Sequence, residues 1–382
     1  MKKASLKSRI AGRLGFLLLI PGLLGGLQSL PAEEKSSPGP NIQLRGDFLN
    51  SRLSFTAGKK GHVAFIGGSI TAMEGYRPML CSFLQKRFPA TKFTFTNAGI
   101  SSTCSTTGAF RLRRDVLSKG PVDLFFIEFA VNDDQDAAHA RRECLRGMEG
   151  ILRQVRAHNP MADIVITHFV NPPMLKTVGQ GKEPVSSGAH EDVAKHYGIS
   201  TIHLAREVNR LITAGKLTWK KFGGTHPGPH GNRLCANMIE KLLNTSWDTK
   251  PTGRAAKKAH TLPEKELDEG NYGGGRFIDP ATARIRAGWK NHVPQWKKIG
   301  GGFRNGFAGK KLLCATTPGA ECRLEFTGRA IGAYLLAGPD AGTVEASIDG
   351  GEFKSFNLYH RYSRRLHYPR TIMFATDLGD GK

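Results

Sequence analysis

The stretch "HVAFIGGSIT", residues 62–71, runs from strand-type apolar residues into a pair of glycines and then a serine. Val63, Ala64, Phe65 and Ile66 suit a strand buried on both faces, and Gly67-Gly68 ends it. A tight strand-to-helix turn accounts for the glycines. It does not account for a small hydroxyl presented at the strand's end, where Ser69 has the placing of a nucleophile. The rest of the chain decides between a mere turn and a reactive one.

The pattern set by that strand repeats over residues 61–245. The strand-like runs "KFTFTNAG", "VDLFFIEFAV", "ADIVITHFV" and "GISTIHL" alternate with helical runs. In "YRPMLCSFLQKRF", Leu80, Leu84 and Phe88 share one side; in "ECLRGMEGILRQVRAH", Leu145, Met148, Leu152 and Val155 recur at helical spacing. Strands apolar on both faces, each followed by a helix, predict an α/β class with a parallel sheet covered on both sides. Ligands of such sheets sit beyond the carboxyl ends of the strands, which is where Ser69 lies.

Three further segments fall after successive elements. In "NAGISSTCS", Gly99 lets the backbone approach a ligand closely, so its N–H is a candidate donor to an oxyanion; a plain turn is the alternative. In "FAVNDD", Asn132 offers a side-chain NH₂ as a further donor, or else an Asx-turn capping the next helix. In "GGTHPGPHGNRLCANMI", Pro227 restricts the backbone of His226, which suits a base held in one orientation. His230 is its rival.

These four segments, in this order, resemble the motif blocks of the SGNH (GDSL-type) serine hydrolases, over about residues 60–245. The resemblance implies a flavodoxin-like three-layer α/β/α fold with Ser69 as nucleophile and His226 as general base. It implies an oxyanion hole of the Ser69 amide, Gly99 and Asn132, with no cofactor and no metal required. Ester hydrolysis suits these residue types: imidazole takes the serine proton, donors stabilise the tetrahedral oxygen, and the imidazolium returns the proton to the leaving alkoxide. One position departs from the family pattern. Its members often carry Asp three residues before the histidine, and here that residue is Gly223. A Ser–His dyad with a backbone carbonyl fixing the imidazole tautomer is favoured over a hidden acid or an inactive site. Glu128 and His168 are ionisable residues inside strand-like runs, and a structural pair between them near the site is expected.

The chain has 382 residues, enough for two domains, and 39% hydrophobic residues. Residues 1–32 read as an export signal: Lys2, Lys3, Lys7, Arg9 and Arg13 form a cationic head before an apolar run from Leu14 to Leu30, with Ala32 at the cleavage position. A secreted, periplasmic or cell-envelope location is the consequence. An uncleaved anchor is the alternative, and membrane attachment depends on it. The net charge of +23 attracts polyanions such as acidic glycans, and the basic residues follow no nucleic-acid-binding motif. Six cysteines show no metal-ligand spacing. Cys314 and Cys322 are close enough to bridge neighbouring strands, and Cys81, Cys144 and Cys235 read as buried thiols.

Residues 33–60 form a Pro/Ser/Lys-rich lead-in of low order, and residues 246–275 a charged, Gly/Pro-rich linker. From 276 to 382 short strands predict a small all-β, jelly-roll-like sandwich. A hairpin is expected at Asp349-Gly350 and Gly351, and an unpaired edge where no closing strand succeeds "TIMFATDLGDGK". Phe353, Phe356, Tyr359, Tyr362 and Tyr368 offer ring faces to sugars or fill the sandwich core. This region resembles accessory β-sandwiches beside SGNH modules in polysaccharide deacetylases. Acetylated polysaccharide is therefore the expected substrate; a small-acyl esterase or lipase-like hydrolase, and an inactive glycan-binding protein, are the alternatives.

Overall fold

The computed structural model describes residues 38–249 and 255–379, so the expected export signal, residues 1–32, lies outside the described residues. The apolar run at 62–66 becomes β2 (Lys60–Gly67) of a six-stranded sheet. Its companions are β1 (Ile42–Gln43), β3 (Lys92–Gly99), β4 (Leu124–Glu128), β5 (Asp163–Thr167) and β6 (Ser200–Ile202), in the order β1-β6-β5-β4-β2-β3. All pairings are parallel except β1 against β6.

Both faces of this sheet are apolar because both are covered. Val63, Phe65, Leu124, Phe126 and Val165 face one core, while Ala64, Ile66, Phe125, Ile127, Ile164 and Ile166 face the other. The first is closed by α1 (Leu49–Thr56), α3 (Tyr76–Arg87) and α10 (Pro229–Trp247), through Phe55, Leu80, Leu84 and Ile239. The second is closed by α4 (Ser105–Asp115), α5 (Arg141–His158) and α7 (Val185–His196). Met148, Leu152 and Val155 of α5 are fully buried as their spacing predicts, with Leu145 partly so. Truncating one of these to alanine costs about 2–5 kcal/mol, because the close-packed layer collapses only in part.

From β2 the chain crosses to β3 on one side and then to β4 on the other. That reversal makes β2/β4 the switch point of the sheet, where a crevice opens beyond the strand ends. The segments after β2 and β4 carry Ser69 and Asn132.

Two regions are more ordered than their composition suggests. Residues 38–59, expected as a loose lead-in, supply strand β1, helix α1 and the buried side chains of Ile42, Phe48 and Phe55. The expected linker is a strap along the α/β region. Lys258 N–H donates to Asn50 Oδ1 at 2.8 Å, His260 Nε2 contacts Asp163 Oδ1 at 2.9 Å, and Tyr272 is buried against α5. The amides of Leu267 and Asp268 donate to the two oxygens of the buried Glu149 at 2.8 and 3.0 Å. Polar residues signal solvent only while they lack such partners.

The C-terminal region consists of antiparallel two-stranded ladders: β7 (Arg284–Ala287) with β10 (Glu321–Arg323), β8 (Trp289–His292) with β9 (Leu312–Ala315), β11 (Ile331–Ala337) with β14 (Tyr368–Ala375), and β12 (Thr343–Ala346) with β13 (Lys354–Asn357). The "TIMFA" run belongs to β14. Asp349 and Gly350 adopt φ of 52° and 76° between β12 and β13, as the hairpin signal predicts, whereas Gly351 is not in that conformation. Cys314 and Cys322 lie on different ladders and are free thiols, as are all six cysteines; Cys144 and Cys235 are buried and Cys81 is half-buried. Among the described residues no helix is long and apolar enough to cross a membrane.

Candidate active site

Ser69 opens α2 (Ser69–Ala72), the four-residue helix directly after β2. The two glycines before it have specific packing reasons. A Cβ on Gly67 would lie 2.3 Å from Glu128 Oε1, and one on Gly68 would lie 2.0 Å from Asn132 Oδ1. Side chains from the end of β4 and the turn beyond it occupy that space, and only glycine leaves room.

Glu128 holds the serine turn from beneath. Its Oε1 accepts from the amides of Gly68 and Thr71 at 3.0 and 3.2 Å and from the Thr71 hydroxyl at 2.9 Å. The side chain is fully buried and Oε2 has no partner among the described residues. Burial pushes its carboxyl up to about 7, against the pull of the three hydrogen bonds.

His226 reaches Ser69 from across the crevice: Nε2 and Oγ are 2.7 Å apart, although the residues are 157 positions apart in the chain. Asn232, on the first turns of α10, secures the histidine segment. Its Nδ2 donates to the carbonyls of Pro227 and Gly228 at 2.6 and 3.1 Å, and its Oδ1 accepts from Tyr76 N–H at 2.9 Å, at the start of α3. The loop bearing His226 is thus tied to the helix that comes after the serine turn. Among the described residues no carboxylate pairs with His226. Gly223 explains why none stands at its position: φ is +105°, and a Cβ there would meet Gly228 N at 1.9 Å. His230 is exposed near the start of α10, and His226 is the histidine that meets the serine.

Residues 65–234 match the model of the GDSL-like Lipase/Acylhydrolase family. This segment is a GDSL-like acylhydrolase domain, and its class of chemistry is carboxylic ester hydrolysis. Among solved structures, a two-domain esterase active on acetylated mannans, co-crystallised with mannopentaose, matches with TM-score 0.70 and 20% identity, over 89% of this chain and 89% of that chain. A second structure of a two-domain esterase active on acetylated mannans matches with TM-score 0.69 and 20% identity, over 89% and 90%. At that identity the likeness is one of fold, and its extent takes in the C-terminal β region. A search among curated proteins returned no match.

Within the GDSL-like domain the expected donors divide. Asn132 is buried, with its amide group against Gly68, and its Nδ2 donates to Asp136 Oδ2. An amide nitrogen carries two hydrogens, so one remains for a ligand. Gly99 is a correction. β3 is the edge strand, Ile100 N–H donates to Gly67 O across to β2, and strand amides alternate in direction; Gly99 N–H therefore points to the open edge. Asn97 Oδ1 takes it at 2.9 Å. The close backbone approach that needs this glycine is that of α2 itself, since a Cβ would lie 2.3 Å from Ala72 N.

The expected Glu128–His168 pair is also corrected. Ile127 is level with Ile166, so Glu128 is level with Thr167, and alternation turns His168 to the opposite face. There Glu191 meets His168 Nε2 at 3.3 Å, His203 Nε2 at 3.2 Å and Arg45 Nη2 at 2.5 Å. Burial lowers His168 to about 4.

Three supporting residues escaped the sequence. Arg111, fully buried, donates to the carbonyls of Ala98 and Gly67 at 2.6 and 3.0 Å and to Thr103 Oγ1 at 3.3 Å, which binds the ends of β2 and β3 to the following loop. Asp133, also fully buried, accepts from Ser105 N–H at 2.7 Å at the N-terminus of α4 and from His190 Nε2 at 2.9 Å. Burial pushes its carboxyl up, but the bonds from His190 and Ser105 win and hold it low. Ser102 adopts φ of 74°, with its hydroxyl accepting from Arg304 Nη2 at 2.7 Å. A lone Arg or Asp in a helical or turn context gives no sign that its partner lies in another element.

Proposed function

We propose that the protein removes O-acetyl groups from polysaccharides through Ser69 and His226, and that it does so outside the cytoplasm. One observation carries this: the 2.7 Å contact between Ser69 Oγ and His226 Nε2 at the switch point of the sheet. In the acylation step the Oγ proton passes to Nε2 as Oγ bonds to the ester carbonyl carbon. The resulting oxyanion takes hydrogen bonds from the Ser69 amide and the second N–H of Asn132, each worth on the order of 10²–10³ in rate. The tetrahedral species collapses, the sugar oxygen leaves with the proton from Nε2, and an acetyl-serine remains. Water then repeats the sequence, with His226 as base, to release acetate.

The polysaccharide substrate is supported by the fold match to the acetylmannan esterase across both regions of the chain. Export is supported by the cationic head and apolar run of residues 1–32. Tyr359 and Tyr362, both 41% exposed, and Phe353 at 71% present rings to solvent on the C-terminal region, where sugars can stack.

The test is acetate release from a panel of acetylated polysaccharides by the wild type, Ser69→Ala and His226→Ala. Release by the wild type alone is expected. Release that survives Ser69→Ala would overturn the mechanism, and release from aryl esters but from no polysaccharide would overturn the substrate class.

A further inference from the structure

The turn that carries Asn132 is a one-turn π-helix, Asn132–Asp136, a rare geometry that holds only where its surroundings support it. Its last carbonyls have no partner within the turn, and the C-terminal β region supplies one to each. His360 Nε2 lies 2.9 Å from Asp136 O, and Arg361 Nη2 donates to Gln135 O. The Tyr362 amide donates to His360 Nδ1 at 3.3 Å, which leaves the ring proton on Nε2, directed at the turn. The buried Tyr368 stacks on His360, with ring centroids 4.5 Å apart and planes at 11°. The Tyr368 hydroxyl bears on the Asp136 carboxylate, and on Ser102 O at 3.5 Å. Asp136 in turn holds Asn132 Nδ2.

We infer that Tyr368, His360 and Arg361 are positioning residues for the Asn132 donor. The C-terminal region fixes the π-turn and, through Asp136, sets where the free N–H of Asn132 points. The inference rests on the proposed role of Ser69. It gives the β region a part in turnover that is separate from any grip on polysaccharide. A donor displaced by a fraction of an ångström stabilises a developing oxyanion less while leaving ground-state binding nearly intact.

The test uses the full chain and p-nitrophenyl acetate, an ester too small to need a polysaccharide-binding surface. Tyr368→Phe removes the hydroxyl and keeps the ring stack; Arg361→Ala removes a separate hold on the same turn. Each is expected to lower kcat on the order of tenfold with KM within about twofold. Glu352→Ala, exposed in the same region and given no part in the site, should retain the wild-type kcat. Thermal unfolding identifies any variant that fails to fold, and the other then decides. If both folded variants keep kcat within about twofold on the aryl ester and lose activity only on polysaccharide, the region binds substrate and positions nothing. If the wild type shows no hydrolysis that depends on Ser69, the proposed reaction fails and the positioning role goes with it; a Ser69-dependent rate unmoved by the variants refutes the positioning role alone.

Discussion

Glu128→Gln tests whether the serine turn rests on a carboxyl that takes up a proton on folding. The side chain is fully buried, Oε1 accepts three hydrogen bonds, and Oε2 has no partner among the described residues. Burial raises the carboxyl from 4.5 to about 7. The native state therefore holds the proton more tightly than the unfolded chain. Unfolding releases a proton between these two values, and stability falls as the pH rises through that window. At about 1.4 kcal/mol per pH unit, the full loss above pH 7 is about 3 kcal/mol. Asp163, raised from 3.8 to about 6 by burial, contributes in the same direction, so the wild-type slope alone is not diagnostic. The difference between wild type and variant is. Glutamine keeps an oxygen for the Gly68 and Thr71 donors and cannot ionise. Urea unfolding at pH 5, 6, 7 and 8 should show the wild type losing up to about 3 kcal/mol more than Glu128→Gln across the series. Parallel curves would refute the buried, proton-binding role of Glu128.

Three other substitutions probe the packing around the dyad. In Gly68→Ala the new methyl occupies the place of the Asn132 amide, 2.0 Å from Oδ1, so kcat on an acetyl ester should fall by on the order of 10²–10³. Gly223→Asp restores the carboxylate common in the family, yet should lower activity rather than raise it; φ of +105° and the 1.9 Å clash with Gly228 N distort the loop that bears His226. Steady-state kinetics on the folded variant decides this. Asn232→Ala breaks the link between Pro227, Gly228 and Tyr76, and each buried group left unpaired costs about 1–3 kcal/mol. Its unfolding midpoint and kcat should both drop.

The sheet and its two helical layers were legible because they are written in apolar periodicity. Val63 and Phe65 alternate with Ala64 and Ile66, and Met148, Leu152 and Val155 recur along α5. The meeting of Ser69 and His226 was legible because both residue types fall at the ends of such elements. What failed depends on register and on distant partners. Flexibility singles out Gly99 in the sequence, but the direction of its amide is set by the Gly67–Gly99 pairing at an edge strand. Glu128 and His168 read as neighbours across β4 and β5, where a one-residue offset places them on opposite faces. The strap at 255–275 looked like a linker because its polar groups meet partners far away in sequence, such as Glu149 and Asp163.

The distribution of acids around the dyad bears on how a histidine without a carboxylate can work. Glu128 and Asp133 are fully buried beneath the site, and they anchor backbone amides, of Gly68 and Thr71 in one case and Ser105 in the other. Neither serves His226. In a buried triad, the imidazolium formed during attack sits in a poorly solvated place, and a carboxylate is needed to stabilise its charge. His226 is exposed while Ser69 is half-buried, so under the proposed mechanism water solvates the cation as it forms. What the missing acid would have supplied in orientation comes instead from Pro227 and from Asn232, which pins the carbonyls on either side of the Pro227–Gly228 bond. Under the proposed mechanism the site thus commits its buried charge to holding the donors in place and leaves the proton carrier to solvent. On that division of labour, restoring a carboxylate near His226 adds little, whereas disturbing Asn132 or the turn beneath Ser69 costs most of the rate.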